Sequence, residues 1–532
     1  MAQSHAAWTP GPLATLGLAV VVTGMPVVLH LAGQGFGIAT ALLLASVVAV
    51  FAAPAVPVVL LFSCLFQNLF VAFVSPAVAT LDQLNMMRGY NFIVTAVMWV
   101  IAVTPYWTAR ARFDRKMRAV MDATTVALLV VAVYFILGLM AHGGGALVYL
   151  RNIVSPILMF QIFALIAYRH CLSLTTVLTV MAVGALAYGY LEFVAHDGLH
   201  AAINADTYLT LRAQQDREPN TWVKELHETG RVIRSYLDLL VIDFLNTPLL
   251  ADWGLRFYRI LGPNFHFISY AYGLAVFSIV LFAAGRWWYA LLALPMLLIV
   301  GSKGALMLVV LVIAGLTMLL RLRGAAPLWI FAAVLLLYVT GGVLVGIHAQ
   351  DYHVIGFIGG VKGFLANPIG RGIGVGGNLS LDMSAIDWSR SQYLGHTDIA
   401  VESAIGVLLY QMGVFGAALL ALFAWIAAQL WKAYRHSANR LYAMGCFGLL
   451  TVVANGVFQE EALFAPLALG IVLAFSGLLL GRAYRLSVRE SAAMQPHASA
   501  RRAVPSRGIL PGTRRPDRRT VPGMGGATVS AA

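Results

Sequence analysis

The sequence predicts an all-α, polytopic membrane protein, a bundle of about fourteen transmembrane helices. Three observations predict it. Hydrophobic residues make up 60% of the 532 and charged residues only 11%, where a water-soluble chain carries about 25% charge. Mean hydropathy is +0.82. Long unbroken apolar runs recur along the chain, each near the ~20 residues that cross a bilayer. A membrane β-barrel would instead alternate in segments of about 10.

In chain order the runs lie at roughly 13–33, 36–53, 55–75, 92–108, 123–141, 153–168, 174–195, 265–284, 287–301, 303–320, 327–347, 402–430, 441–457 and 464–481. The stretch 287–320 reads either as one element or as two short spans broken at Gly301-Ser302-Lys303-Gly304. Residues 1–12 form a short polar start without Lys or Arg, so the first run reads as a retained span rather than a cleaved signal. Residues 13–482 form the membrane domain. Residues 483–532, rich in Arg, Pro, Gly, Ser and Ala, read as a disordered basic tail. Its arginines either touch anionic membrane lipid or simply fix topology.

The formal charge of +13 does not call for a nucleic-acid partner, because the positive-inside rule accounts for it. Arg110, Arg112, Arg115, Lys116 and Arg118 share one connection. Alternation puts Arg321, Arg323, Lys432, Arg435, Arg440 and the tail on that same side, the cytoplasmic one, with both termini. Two long loops, about 196–264 and 348–401, fall on the opposite face with Gln459-Glu460-Glu461. In the first of them Val223, Leu226, Ile233, Leu237, Leu240 and Phe244 recur at helical spacing, which predicts an amphipathic surface helix.

Polar residues inside so apolar a chain mark candidate sites. The outer-face arginines are Arg88, Arg151, Arg256, Arg259, Arg371 and Arg390. Each either grips phosphate with its planar fork or pairs with a loop acid. Arg371 stands in Gly370-Arg-Gly-Ile-Gly-Val-Gly-Gly-Asn378, where glycine allows a backbone to approach a ligand. His396 offers a base near neutral pH or a surface hydrogen bond. Glu402 opens the 402–430 run, as a helix-terminal carboxylate or as a group aimed at an outer cavity. Glu460, Glu461 and Asp398 offer an acceptor site. Glu192, at the outer end of its run, is a costly charge that calls for a partner. The three cysteines Cys64, Cys171 and Cys446 lie far apart and suggest neither disulfide nor metal site. No HExxH, DxD in the outer loops, P-loop or GxSxG occurs, which argues against a metal site, a cofactor and nucleotide-driven chemistry.

Five phrases resemble the O-antigen ligase and Wzy-type polysaccharide polymerase superfamily. Asn367-Pro-Ile-Gly-Arg371-Gly-Ile-Gly374 resembles its "NP-x-G-x-G-x-G" loop. Glu402-Ser-Ala-Ile-Gly-Val-Leu-Leu-Tyr-Gln-Met-Gly413 resembles the phrase that follows, which begins with His-Asn in ligases and with Glu-Ser in many exopolysaccharide polymerases. Ser302-Lys303-Gly304-Ala305 is similar to "SRGA", Tyr149-Leu-Arg151-Asn to an earlier arginine loop, and Arg259-Ile-Leu-Gly-Pro-Asn264 to "R-x-x-G…PN". The resemblance spans roughly residues 90–480. It implies a membrane glycosyltransferase (GT-C-like) fold with two large periplasmic loops in a bacterial inner membrane. The implied donor is an undecaprenyl-diphosphate-linked glycan, with no cofactor or metal. The pathway's flippase and chain-length regulator are the implied protein partners. The implied activity is polymerisation of lipid-linked repeat units into O-antigen or exopolysaccharide. Ligation to an acceptor and lipid-linked-oligosaccharide transport are the alternatives. On this resemblance Arg371, Arg259, Arg151, Arg256 and Lys303 hold the diphosphate, and Glu402 or His396 is the base.

The basic-residue distribution makes a direct prediction. Alkaline phosphatase fused at residue 215 or 385 is active, and a cytoplasmic reporter at either point is silent. Cytoplasmic reporter activity there overturns the orientation.

Overall fold

The computed structural model describes residues 10–143, 145–213, 240–244, 254–380, 383 and 386–502. The chain is an all-α multi-pass membrane protein. Among the described residues, ten helices are long and apolar enough to cross a bilayer, and five apolar helices are shorter. By contacts the chain divides into Met1–Leu486 and Ser487–Ala532.

The helices in order are α1 Pro12–His30, α2 Gln34–Phe51, α3 Val56–Val74, α4 Leu81–Arg88, α5 Tyr90–Thr108, α6 Arg115–His142, α7 Gly145–Arg169 and α8 Thr175–Val194. Short helices α9 His196–Ala202 and α10 Ala205–Ala213 follow. Next come α11 Phe267–Ala283, α12 Trp287–Val300, α13 Lys303–Met318, α14 Ala326–His348 and α15 Tyr352–Ala366. The set ends with α16 Trp388–Leu394, α17 Ala404–Met412, α18 Val414–Ser437, α19 Arg440–Asn455, α20 Glu461–Phe464 and α21 Ile471–Arg502, the last entered through a π turn at Pro466–Gly470.

Burial separates the centre of the bundle from its rim. The apolar window of α7 is 78% buried and that of the span Pro466–Glu490 is 83% buried, against 22% for α6 and 17% for α14. The first two therefore form the core, and the last two present apolar side chains outward, as a lipid-facing helix must. The break expected near 301–304 is present: Gly301 takes a left-handed conformation, φ +69°, and ends α12. The three thiols are unpaired, with Cys446 buried and Cys171 exposed.

Several expectations need correction. The run 402–430 is two helices, because Gly413, at φ +56°, breaks it between α17 and α18. Glu402 does not open a helix. Ser403 is the cap of α17, its hydroxyl accepting from the Gly406 N–H, and it supplies the capping oxygen a helix start needs. The connection 348–401 is not all loop, since α15 runs through it and packs on α17. Most of the amphipathic helix expected over Val223 to Phe244 lies outside the described residues. Its last stretch is a strand, Val241–Asp243, paired antiparallel with Arg256–Tyr258. The last helix runs to Arg502, past the 483 boundary read from composition, and residues 503–532 of the expected tail lie outside the described residues.

The glycine-rich phrase packs on helices. Gly370, Gly372, Gly374, Gly376 and Gly377 all have positive φ. A Cβ on Gly372 would lie 2.7 Å from the Gly138 nitrogen, and one on Gly374 would lie 2.7 Å from the Ala146 nitrogen. The loop thus runs against the backbone of α6 and α7, and the Ile373 N–H donates to the Tyr134 carbonyl at 3.0 Å. The glycines allow close contact between two main chains. Gly138 mirrors the arrangement, since a Cβ there would lie 1.8 Å from the Ile373 carbonyl oxygen.

An alanine at a helix-interior glycine ordinarily gains up to about 1 kcal/mol. Gly184, with nothing within 4 Å of its would-be Cβ, should behave so. Gly138→Ala should instead lose about 1–3 kcal/mol through overpacking. Thermal unfolding of both variants in detergent measures the difference, and equal midpoints refute the backbone contact.

Candidate functional site

A cavity of about 460 Å³ opens at the end of the bundle that carries the two long connections. Its walls come from α3, α4, α5, α7, α10, the turn before α11, residues 378–379 and residues 460–467. Arg88, Arg151 and Arg212 line it, with Asn68, Asn85, Asn91, Asn152 and Asn264 between them. Glu460 and Glu461 line it too, just before the π turn.

Each arginine is placed differently. Arg88 is the last residue of α4 and donates to Asn85 Oδ1 at 3.1 Å. Arg212, in the last turn of α10, donates to the Phe265 carbonyl at 2.8 Å. Arg151 stands in the second turn of α7, and among the described residues no carboxylate pairs with it.

His266 is the cap of α11. Its Nδ1 accepts from the Ser269 N–H at 3.2 Å, so Nδ1 carries no proton and Nε2 does. Burial first, then the Arg212, Arg88 and Arg259 charges, bring its pKa down to about 3. The ring is therefore neutral at any working pH and lines the cavity as a hydrogen-bond donor.

Glu460 is 3% exposed. It accepts from the Tyr149 hydroxyl at 2.6 Å and from the Asn378 N–H at 2.8 Å. Burial pushes its pKa up to about 8, although both donors pull the other way. Burial raises Glu461 as well. Asn378 also holds Glu402, because its Oδ1 accepts the Glu402 N–H at 2.9 Å. Glu402 stands at φ +60°, a left-handed conformation that non-glycine residues avoid. Its carboxylate lies 3.2 Å from His353 Nδ1. Burial alone would raise Glu402, but the His353 bond and charge outweigh it and bring its pKa below the ordinary value. Burial alone would lower His353, but the Glu402 bond and charge raise it. These two residues form an ion pair one step behind the cavity wall.

Of the residues singled out in the sequence, Arg88, Arg151, Glu460 and Glu461 meet in the cavity. Arg259 sits beside it. Its guanidinium lies over the Phe267 ring at 3.6 Å, and its charge reaches Glu461. Arg371 does not line the cavity. Its guanidinium donates to the Gly363 carbonyl at 2.9 Å, at the end of α15, and lies over the Tyr410 ring at 4.0 Å. The expected convergence of Arg151, Arg259 and Arg371 is therefore not what the structure forms. Arg371 clamps α15 to α17, as a cation at a helix C-terminus does. His396 does not meet Glu402, since its Nδ1 faces the Thr397 carbonyl at 3.2 Å. The histidine that pairs with Glu402 is His353. Lys303, Arg256, Asp398 and Arg390 are exposed and line no part of the cavity.

Sequence reading missed Arg212, His266, Tyr149, Asn378 and His353. His266 had a signal: a polar residue directly before an apolar run is a helix cap. The others are brought in by tertiary contacts alone. No protein-family model matches the chain, and no curated protein matches it.

The raised Glu460 fixes a sign. Its folded pKa, about 8, lies above the ordinary 4.5, so the folded state holds the extra proton between those values. Glu460 therefore contributes stability that is fully present below about pH 4.5, is lost as pH rises toward 8, and is absent above it. Glu460→Gln should flatten this dependence. Unfolding midpoints of both proteins from pH 5 to 9 check it, and parallel curves refute a buried protonated Glu460.

Proposed function

We propose that the protein is a metal-independent glycosyltransferase acting at the periplasmic face of a bacterial inner membrane, with a GT-C-like fold of about fourteen spans. On this reading it polymerises undecaprenyl-diphosphate-linked oligosaccharide repeat units into O-antigen or exopolysaccharide. One observation carries the proposal. Three guanidiniums and a neutral imidazole donor share a cavity with two carboxyl groups of raised pKa. Guanidiniums suit a diphosphate leaving group. A carboxyl raised toward neutrality suits proton removal from a hydroxyl.

Arg151, with Arg88 and Arg212, binds the diphosphate, and the His266 Nε2–H donates to one of its oxygens. An acceptor hydroxyl attacks the anomeric carbon of the donor sugar. The new glycosidic C–O bond forms as the bond to the diphosphate breaks. The hydroxyl proton passes to Glu461, which lines the cavity and is only partly buried. Glu460 is committed to Tyr149 and Asn378, so it supports the wall rather than taking the proton. Glu402 is a positioning residue acting through Asn378. The energy comes from the sugar–diphosphate bond, and no nucleotide enters.

The test uses purified protein in detergent with lipid-linked repeat units and no ATP, metal or ion gradient. Wild type should lengthen the lipid-linked chains. Glu461→Gln should fold and slow the step about 10²–10⁴-fold, about 3–5 kcal/mol of barrier. Arg151→Ala should raise the donor KM, and Arg151→Lys should recover little, because a point charge does not replace the fork. A transporter gives no chain growth in detergent. A ligase gives a single transfer to a separate acceptor. A fully active Glu461→Gln removes that residue as base.

A further inference from the structure

We propose that Glu192, His196 and His200 form a site for one divalent transition-metal ion of the zinc type, separate from the cavity. The three residues follow one another at intervals of four. Glu192 lies in the last turn of α8, and His196 and His200 lie on α9 beyond a single break at Ala195. One donor atom from each lies within 4.8 Å of the other two. His200 Nε2 is 3.4 Å from Glu192 Oε1. Ligands about 2.0–2.1 Å from a tetrahedral zinc are themselves about 3.3–3.5 Å apart, so this pair already has the required spacing. The His196 and His200 rings are 3.9 Å apart by their centroids.

The surroundings support a bound ion over an ordinary buried pair. Glu192 and His200 are each 1% exposed. A Glu192–His200 hydrogen bond would by itself satisfy one carboxylate and one ring nitrogen. It would leave a second imidazole packed against the first, with the His196 Nδ1 buried and without a hydrogen-bond partner. An ion bound by neutral imidazoles explains why two rings stand together. Asp206 Oδ1 lies 3.5 Å from His200 Nδ1. A carboxylate facing the second nitrogen of a ligating histidine is the usual support of such sites. The Glu192 carboxylate is oriented by the N–H groups of Leu261, at 3.0 Å, and Gly262, at 2.9 Å. Two imidazoles and a carboxylate form the donor set that zinc accepts, with a fourth position left for water. Through Glu192 the ion also fastens α8 to the turn that carries Arg259, Asn264 and His266.

The experiment uses the full chain, purified in detergent with a histidine-free tag, stripped with chelator and then given Zn²⁺. Bound metal is counted after desalting, and the unfolding midpoint is recorded. Cobalt(II) loading reports tetrahedral coordination through its visible absorption. Wild type should retain one ion per chain and unfold at a higher temperature with it. His196→Ala and His200→Ala should bind at least 100-fold more weakly. Asp206→Asn should bind about 10–100-fold more weakly. His348→Ala, on an exposed helix end, should keep the ion. A wild type that keeps no metal overturns the proposal. So does equal retention by wild type and His196→Ala, which keeps the test valid if His200→Ala does not fold.

Discussion

The buried carboxyl of Glu460 is the point on which the site depends. It is held by the Tyr149 hydroxyl from α7 and by the Asn378 N–H from the end of the glycine-rich loop. A carboxyl 3% exposed is tolerated only when such donors meet it or when it keeps its proton. Here both hold. The Tyr149 hydroxyl also accepts the Leu379 N–H at 3.0 Å, so one residue of α7 fixes both the loop and the acid. From Asn378 the chain of contacts continues to Glu402 and His353. Elements far apart in sequence thus converge on a wall two side chains thick.

Such a wall requires the loop to lie close to the helices, and the glycines make that possible. A Cβ on Gly377 would lie 1.9 Å from the Tyr149 hydroxyl. Any larger residue there would push apart the Tyr149–Glu460 contact. The left-handed Glu402 belongs to the same constraint. Its conformation turns the chain from the loop into Ser403, the cap of α17, and Asn378 holds the N–H that this turn presents. Backbone strain of this kind costs on the order of 1–3 kcal/mol and persists where surrounding contacts fix it.

The membrane-protein class was legible from composition, because lipid imposes long apolar runs whatever the tertiary packing. The break at Gly301 was legible too, since glycine ends helices by a local rule. The interruption at Gly413 was not, because the apolar pattern continues through it unchanged. At the site, Arg88, Arg151, Glu460 and Glu461 were legible as costly charges in an apolar chain. Arg371 shows the limit of that reasoning. Its glycine neighbours suggested a ligand, but the same φ > 0 freedom serves main-chain packing equally well. His353 and Arg212 gave no local signal, since one is the second residue of a helix and the other precedes a polar stretch. Their roles come from which helices meet, and one sequence alone does not encode that in any short pattern.

On the proposed function, the cavity's charge balance would link binding to proton transfer. Three guanidiniums face two carboxyl groups, and at neutral pH Glu460, titrating near 8, is mostly protonated. The cavity walls therefore carry net positive charge, which favours an anion bearing more than one negative charge. Entry of such an anion changes the carboxyl groups in turn. Its charge would oppose the pull of Arg259, which lowers Glu461, and add repulsion of the same sign as that from Glu402, which already raises Glu461. Both changes favour the protonated form of Glu461. On that function, Glu461 would gain proton affinity as the diphosphate binds, when the acceptor must lose its proton. Departure of the diphosphate would lower that affinity again and release the proton. On the proposed function, the bound diphosphate would itself set when the acid beside it takes up a proton and when it gives it back.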